Sequence, residues 1–191
     1  MYFAKYMLQT GFKFALDGFH NVPDTRVNYF GLYFLNSTTN PAALYQDRYD
    51  STRVNLNSHY DWNSPTVSPR FLDGFITYKD IPFDKNLTII IDIRSIVIRK
   101  KKPVIKPVGW TALPIFSADG YVQSGIYQLP VFKGPAPKDI IAQLADTEPW
   151  DYLKELYSGR KPKLTFLEPM SAVVRLLDAQ REVILIVLEV G

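Results

Sequence analysis

The chain of 191 residues is long enough to bury one substantial core and need not divide, so a single domain over residues 1–191 is expected. Its hydrophobic content of 47% and charged content of 21% are those of a folded globular protein, and a net charge of +3 is too small to imply a nucleic-acid partner. With no cysteine there is no disulfide framework, thiolate metal site or cysteine nucleophile, which agrees with a reducing compartment.

From the N-terminus, Met1 to Phe12 lacks a long apolar run ending in small residues and does not read as a signal peptide. Phe12, Phe14 and Leu16 then alternate with Lys13, Ala15 and Asp17, the period-2 pattern of a strand with one buried face, and Gly18 to Asp24 supplies turn residues. A second strand is expected at Val27 to Asn36, ended by the polar run from Ser37 to Pro41. Ala42 to Ser68 has weak periodicity and reads as a long loop with a short strand around Arg53 to Leu56. Phe71 to Tyr78 is the next expected strand, and Ile81 to Asp84 is a turn.

Leu87 to Ile98 carries the strongest β signal in the chain, and its first half is apolar on both faces, as in a central strand covered on each side. A basic turn follows. Val108 to Phe116 is expected to pair with Tyr121 to Phe132 across the hairpin-type connection Ser117 to Gly120. The block Gly134 to Pro137 breaks the β pattern, and a helix begins over Lys138 to Ala145. A second helix is expected from Pro149 to Ser158, with Asp146 or Thr147 as cap, Gly159 as stop, and Trp150, Leu153, Leu156 and Tyr157 on the packed face. Ala172 to Leu177 and Val183 to Val190 read as a final hairpin, and the run to Leu188 is far too short to span a bilayer. About eight short strands, one helical insertion at about 137–159 and no βαβ rhythm predict an all-β fold: an antiparallel two-sheet β-sandwich, cut from or embedded in a longer chain.

Three stretches resemble the divergent C2 domains of ciliary and flagellar proteins. Gly11 to Pro23 is similar to the first strand and loop of that family. Leu87 to Ile98 followed by Val108 to Phe116, with Gly109 inside it, resembles the pair flanking the third binding loop. Gly125 to Phe132 is similar to the strand leading towards the variable insertion. The resemblance implies a non-catalytic, C2-like interaction module. It would act within a ciliary or cytoskeletal, microtubule-associated assembly in the cytoplasm, at the axoneme of a cilium or flagellum, with tubulin or axonemal proteins as partners. Family members that bind calcium use several carboxylates on loops at one end, since the ion wants six to eight oxygen ligands. Here Ile93 to Ala118 holds no Asp or Glu, and the matching positions hold Arg99, Lys100, Lys101 and Lys102; Asp17 and Asp24 would supply a fragment of a site. Calcium independence is therefore expected.

The basic segment is the main candidate site. Arg94, Arg99, Lys100, Lys101, Lys102 and Lys106 place six cations in thirteen residues, with Pro103 and Pro107 holding the segment extended as an exposed loop. Each such charge contributes about 1 kcal/mol near an anionic surface, so an acidic protein tail or an anionic lipid membrane would be held in a salt-sensitive way. The plain alternative is a solvated hairpin tip kept soluble by lysines. Asp139, Asp146, Glu148, Asp151 and Glu155 form an acidic pole against Lys138 and Lys154, read as the wet face of a helix whose Trp150 side packs inward.

Enzymatic chemistry and a cofactor are not expected. His20 and His59 stand without an acid or serine at triad or metal spacing, and each reads as a loop residue. There is no phosphate-cradling glycine loop. A carbohydrate-binding surface is a third reading, from Asp47, Asp50 and Asp61 near Tyr45, Tyr49 and Trp62, with Tyr60 beside them. Two glycosylation sequons, at Asn36 and Asn86, carry no meaning without export.

Overall fold

The computed structural model describes residues 5–39, 44–45, 48–49, 54–57 and 59–180. Its strands are β1 (Phe12–His20), β2 (Asn28–Asn36), β3 (Leu44–Tyr45), β4 (Arg48–Tyr49), β5 (Asn55–Leu56), β6 (Ile76–Tyr78), β7 (Thr88–Arg99), β8 (Lys102–Pro114), β9 (Gly125–Lys133) and β10 (Phe166–Asp178). Helices α1 (Lys138–Asp146) and α2 (Pro149–Ser158) lie between β9 and β10, so the helical insertion falls where the proline block predicts it.

The fold is all-β and antiparallel, but the strands do not form two separate sheets. Eight of them make one hydrogen-bonded sheet in the order β5-β2-β7-β8-β9-β10-β1-β6, while among the described residues β3 and β4 pair with each other. The sheet curls, so that side chains of β1, β2, β7, β8, β9 and β10 meet in one core containing Phe12, Phe14, Tyr33, Ile91, Leu113 and Val174. The bend falls between β8 and β9, which pair only at Gly109↔Lys133 and Trp110↔Phe132 before β9 continues along β10. Gly109 is required at this bend: a Cβ there would lie 2.4 Å from Val131 Cγ1 and 2.6 Å from the Phe132 carbonyl oxygen.

The first half of β7 has both faces covered, as its apolar residues on both faces predict. Ile89, Ile91 and Ile93 enter the curled core. Ile90 points the other way, into a second cluster with Phe34, Trp110, Phe132 and the apolar faces of α1 and α2. Asn36 and Asn86 fasten α1 to the sheet by donating from their side-chain amides to the carbonyls of Ile141 (2.9 Å) and Ala145 (3.4 Å). Both asparagines are buried, so in the folded chain neither sequon presents an acceptor for a glycan.

Several expectations are corrected. The strand expected from Phe71 shrinks to β6, with Phe71 making only an isolated bridge to Tyr60. The strand expected from Val108 begins at Lys102, and the one expected from Tyr121 begins at Gly125 and pairs chiefly with β10. β10 runs over Phe166–Asp178 with β1 on one edge and β9 on the other; the partner strand expected at Val183 to Val190 lies outside the described residues. The α2 cap is Glu148, whose carboxylate accepts from the Asp151 N–H at 2.7 Å; Asp146 and Thr147 instead end α1. Leu153 and Leu156 face inward, whereas Trp150 is 43% exposed, because the sheet lies against the Leu153/Leu156 stripe and Trp150 sits to its side.

Candidate functional site

The basic segment is not a loop. β7 and β8 continue past the body of the sheet as a ribbon closed by a two-residue turn, Lys100-Lys101, between the paired Arg99 and Lys102. Both turn residues have positive φ, 48° and 63°, the mirror-image backbone that matches the twist of a two-residue hairpin and is ordinarily supplied by Asn-Gly. Two lysines hold it here against their steric preference.

Pairing register decides which side chains share a face. Arg99 stands opposite Lys102, Val97 opposite Val104 and Ser95 opposite Lys106, so three cations lie on one face of the ribbon. Ile98 opposite Pro103, Ile96 opposite Ile105 and Arg94 opposite Pro107 make the other face. Ile98 and Ile105 are largely exposed, at 71% and 56%. Arg94 leaves the set of free cations: it is half-buried, and its Nε donates at 2.8 Å to the carboxylate of buried Asp92. The other five expected residues, Arg99, Lys100, Lys101, Lys102 and Lys106, are gathered within the ribbon.

The prolines have a further effect. A two-residue turn closes on a pair that exchanges both hydrogen bonds, and such pairs alternate with pairs whose N–H and C=O groups point outward. Pro103, Ile105 and Pro107 fall on the outward-pointing positions, along the part of the β8 edge that precedes its pairing with β9 at Gly109 and Trp110. Two of the three outward N–H groups are thus missing, which closes this edge to strand addition and leaves recognition to side chains.

The apolar face of the ribbon continues onto β2. Asn28 pairs with Ile96 and Phe30 with Arg94, while Leu56 on β5 pairs with Leu32. Asn28, Phe30, Leu56 and Ile96, with Ile105, Tyr60 and Trp62, line an open groove of about 350 Å³. Trp62 is 78% exposed and rests on Tyr60, ring centroids 4.9 Å apart. By register Phe30 and Ile96 share the side of the sheet that α1 and α2 cover near Phe34, Ile90 and Trp110, whereas Tyr29 and Phe71, which also line the groove, belong to the curled core. Phe30, Leu56, Ile96 and Ile105 are not marked as site residues by the sequence, although the alternation of Ile96 and Ile98 with Val97 and Arg99 is a signal for a two-faced ribbon.

Four acids elsewhere are already engaged. Arg175 grips Asp17 with two hydrogen bonds, of 2.6 and 2.8 Å, and Arg26 binds Asp24 and holds its carboxyl below the ordinary value through that hydrogen bond. Asp61 pairs with Arg70 at 3.4 Å, and Asp73 contacts His59 at 3.3 Å. His20 meets Ser68 Oγ at 3.1 Å at the end of β1. Among the described residues no group of three or more His, Asp or Glu side chains could hold a metal ion. No helix among them is long and apolar enough to cross a membrane. Asp47, Asp50 and the side chains of Tyr45 and Tyr49 lie outside the described residues, so of the expected carbohydrate surface the structure places Asp61, Tyr60 and Trp62.

No protein-family model matches the chain, and no curated protein matches it. The likeness to divergent C2 domains accordingly rests on the quoted stretches of sequence.

Proposed function

We propose that the chain is a non-catalytic docking module that holds an acidic protein segment through the β7–β8 ribbon, independently of calcium, within a larger assembly. The observation that carries this reading is the ribbon: five cations, projecting on a hairpin whose strained turn is itself built of lysine. Residues kept in a disfavoured backbone conformation are more often retained for what they do than for what they stabilise. A ciliary or cytoskeletal setting, where the glutamate-rich tails of tubulin have the required chemistry, follows from the C2 resemblance. The second reading, an anionic membrane surface, draws support from the exposed Ile98 and Ile105 beside the lysines.

Five cations at about 1 kcal/mol each give a Kd on the order of 0.1–1 mM at low salt. Fluorescence anisotropy with a glutamate-rich peptide should show binding in that range, weakening steeply as salt is added, and lost when Lys100, Lys101 and Lys102 are replaced by glutamine. Co-sedimentation with anionic vesicles in place of peptide binding would transfer the function to the second reading. Absence of both would leave the ribbon as a solubilising tip.

A further inference from the structure

We infer that the groove beside the ribbon is the specificity pocket of this docking surface, taking one bulky apolar side chain, best an aromatic ring, from an otherwise acidic segment. The inference rests on the docking reading and deepens it by naming what the partner must carry.

Three observations lead there. First, the groove is mostly apolar: Phe30, Leu56, Ile96 and Ile105 line it together with exposed Trp62, whose ring is tilted against that of Tyr60. Exposed Trp and Tyr side chains with few rotatable bonds are the groups that most often dominate binding when a partner covers them. Secondly, its volume of about 350 Å³ is at the small end for ligand sites, enough for a ring and its neighbours but not for an extended chain. Thirdly, the charge at the tip of the ribbon that borders the groove has one sign. Lys100, Lys101 and the Arg99/Lys102 pair cap the ribbon that supplies Ile96 and Ile105, whereas the nearby acids Asp61 and Asp73 are paired with Arg70 and His59. A segment with acids on one side of an aromatic residue would meet cations with its charges while its ring fills the recess.

A membrane fits the same features less well. The register sets Arg99, Lys102 and Lys106 on the opposite face of the ribbon from Ile96, Ile98 and Ile105. A flat bilayer meets one face at a time, while a peptide bends around the edge. The proline-stripped edge of β8 excludes the other common mode, addition of the partner as a further strand along that ribbon.

The test uses the whole chain and two labelled glutamate-rich peptides, identical except that one carries a central tryptophan where the other carries serine. Burial of one ring is expected to tighten binding of the tryptophan peptide about tenfold or more over the serine peptide. Trp62→Ser, and separately Ile96→Ser with Ile105→Ser, should abolish that difference; an unchanged circular dichroism spectrum and Tm guard against a folding defect in either, and a difference that persists in both variants would overturn the pocket. Equal affinity of the two peptides for the unaltered chain would overturn the pocket and leave the docking reading intact. Binding of neither peptide would overturn both, and capture by anionic vesicles alone would assign the surface to lipid.

Discussion

Replacing Lys100-Lys101 with Asn-Gly should make the protein more stable and a poorer binder at the same time. Each lysine sits at positive φ, 48° and 63°, where an ordinary L residue is disfavoured by about 1–2 kcal/mol. Asn tolerates that region and Gly is free of the penalty, so the native state gains about 2–3 kcal/mol. Glycine returns some of it, about 0.5–1 kcal/mol, through the extra freedom of the unfolded chain. A net stabilisation of about 1–2 kcal/mol corresponds to a rise in Tm of roughly 2–8 °C for a domain of this size. Removing two cations from the ribbon should meanwhile weaken the glutamate-rich peptide by about 2 kcal/mol, or roughly 30-fold. Calorimetry and anisotropy on the same preparation read both effects. The companion variant Lys100→Gln with Lys101→Gln deletes the same charges without easing the backbone, so it should lose binding and gain little stability. A Tm for the Asn-Gly variant equal to or below that of the unaltered chain would refute the argument, since it would mean that the turn in solution does not impose left-handed backbone on the lysines.

Two other outcomes follow from the packing. Gly109→Ala forces a methyl group to within 2.6 Å of the Phe132 carbonyl, which is backbone and cannot swing away, so chemical denaturation should show a loss of about 1–3 kcal/mol with an unchanged m value; an unshifted midpoint would show that β8 and β9 do not approach as described. At alkaline pH the buried tyrosines should set the limit of stability. Burial pushes the Tyr6 hydroxyl from 10.0 up to about 12, and burial also raises Tyr33 and Tyr78. Because the folded values exceed the unfolded one, the stabilisation is complete below pH 10 and declines as the pH climbs towards 12, the unfolded chain ionising first. Phenolate absorbance followed together with circular dichroism should show these rings ionising only as the fold is lost, and free titration near the ordinary value would contradict their burial.

How much of this was legible in the residues depended on whether local pattern and tertiary setting agreed. Where they agreed, as in the apolar run of β7 or the proline block ahead of α1, element and role were both readable. β8 was legible only in its second half. From Lys102 to Val108 lysines and prolines alternate with valine and isoleucine, and prolines ordinarily end a strand; they are accommodated here because that edge has no neighbour. The cap of α2 misled because Asp146, Thr147 and Glu148 are all competent, and the choice among them is made by where α1 ends. The cations of the candidate site could be named from sequence, yet not their separation from the isoleucines onto the other face, which depends on where the turn falls. The groove was beyond reach, because Phe30, Leu56, Trp62 and Ile96 come from segments that only the sheet order brings together.

Pro103 and Pro107 have one more consequence. A projecting ribbon rich in isoleucine and valine has the makings of a seed for cross-β stacking, in which each molecule templates the next along an unsatisfied edge. Two pyrrolidine rings deny that template its donors, and the flanking lysines repel an incoming copy. Copies of the molecule brought close together are therefore hindered from pairing along this edge of the ribbon.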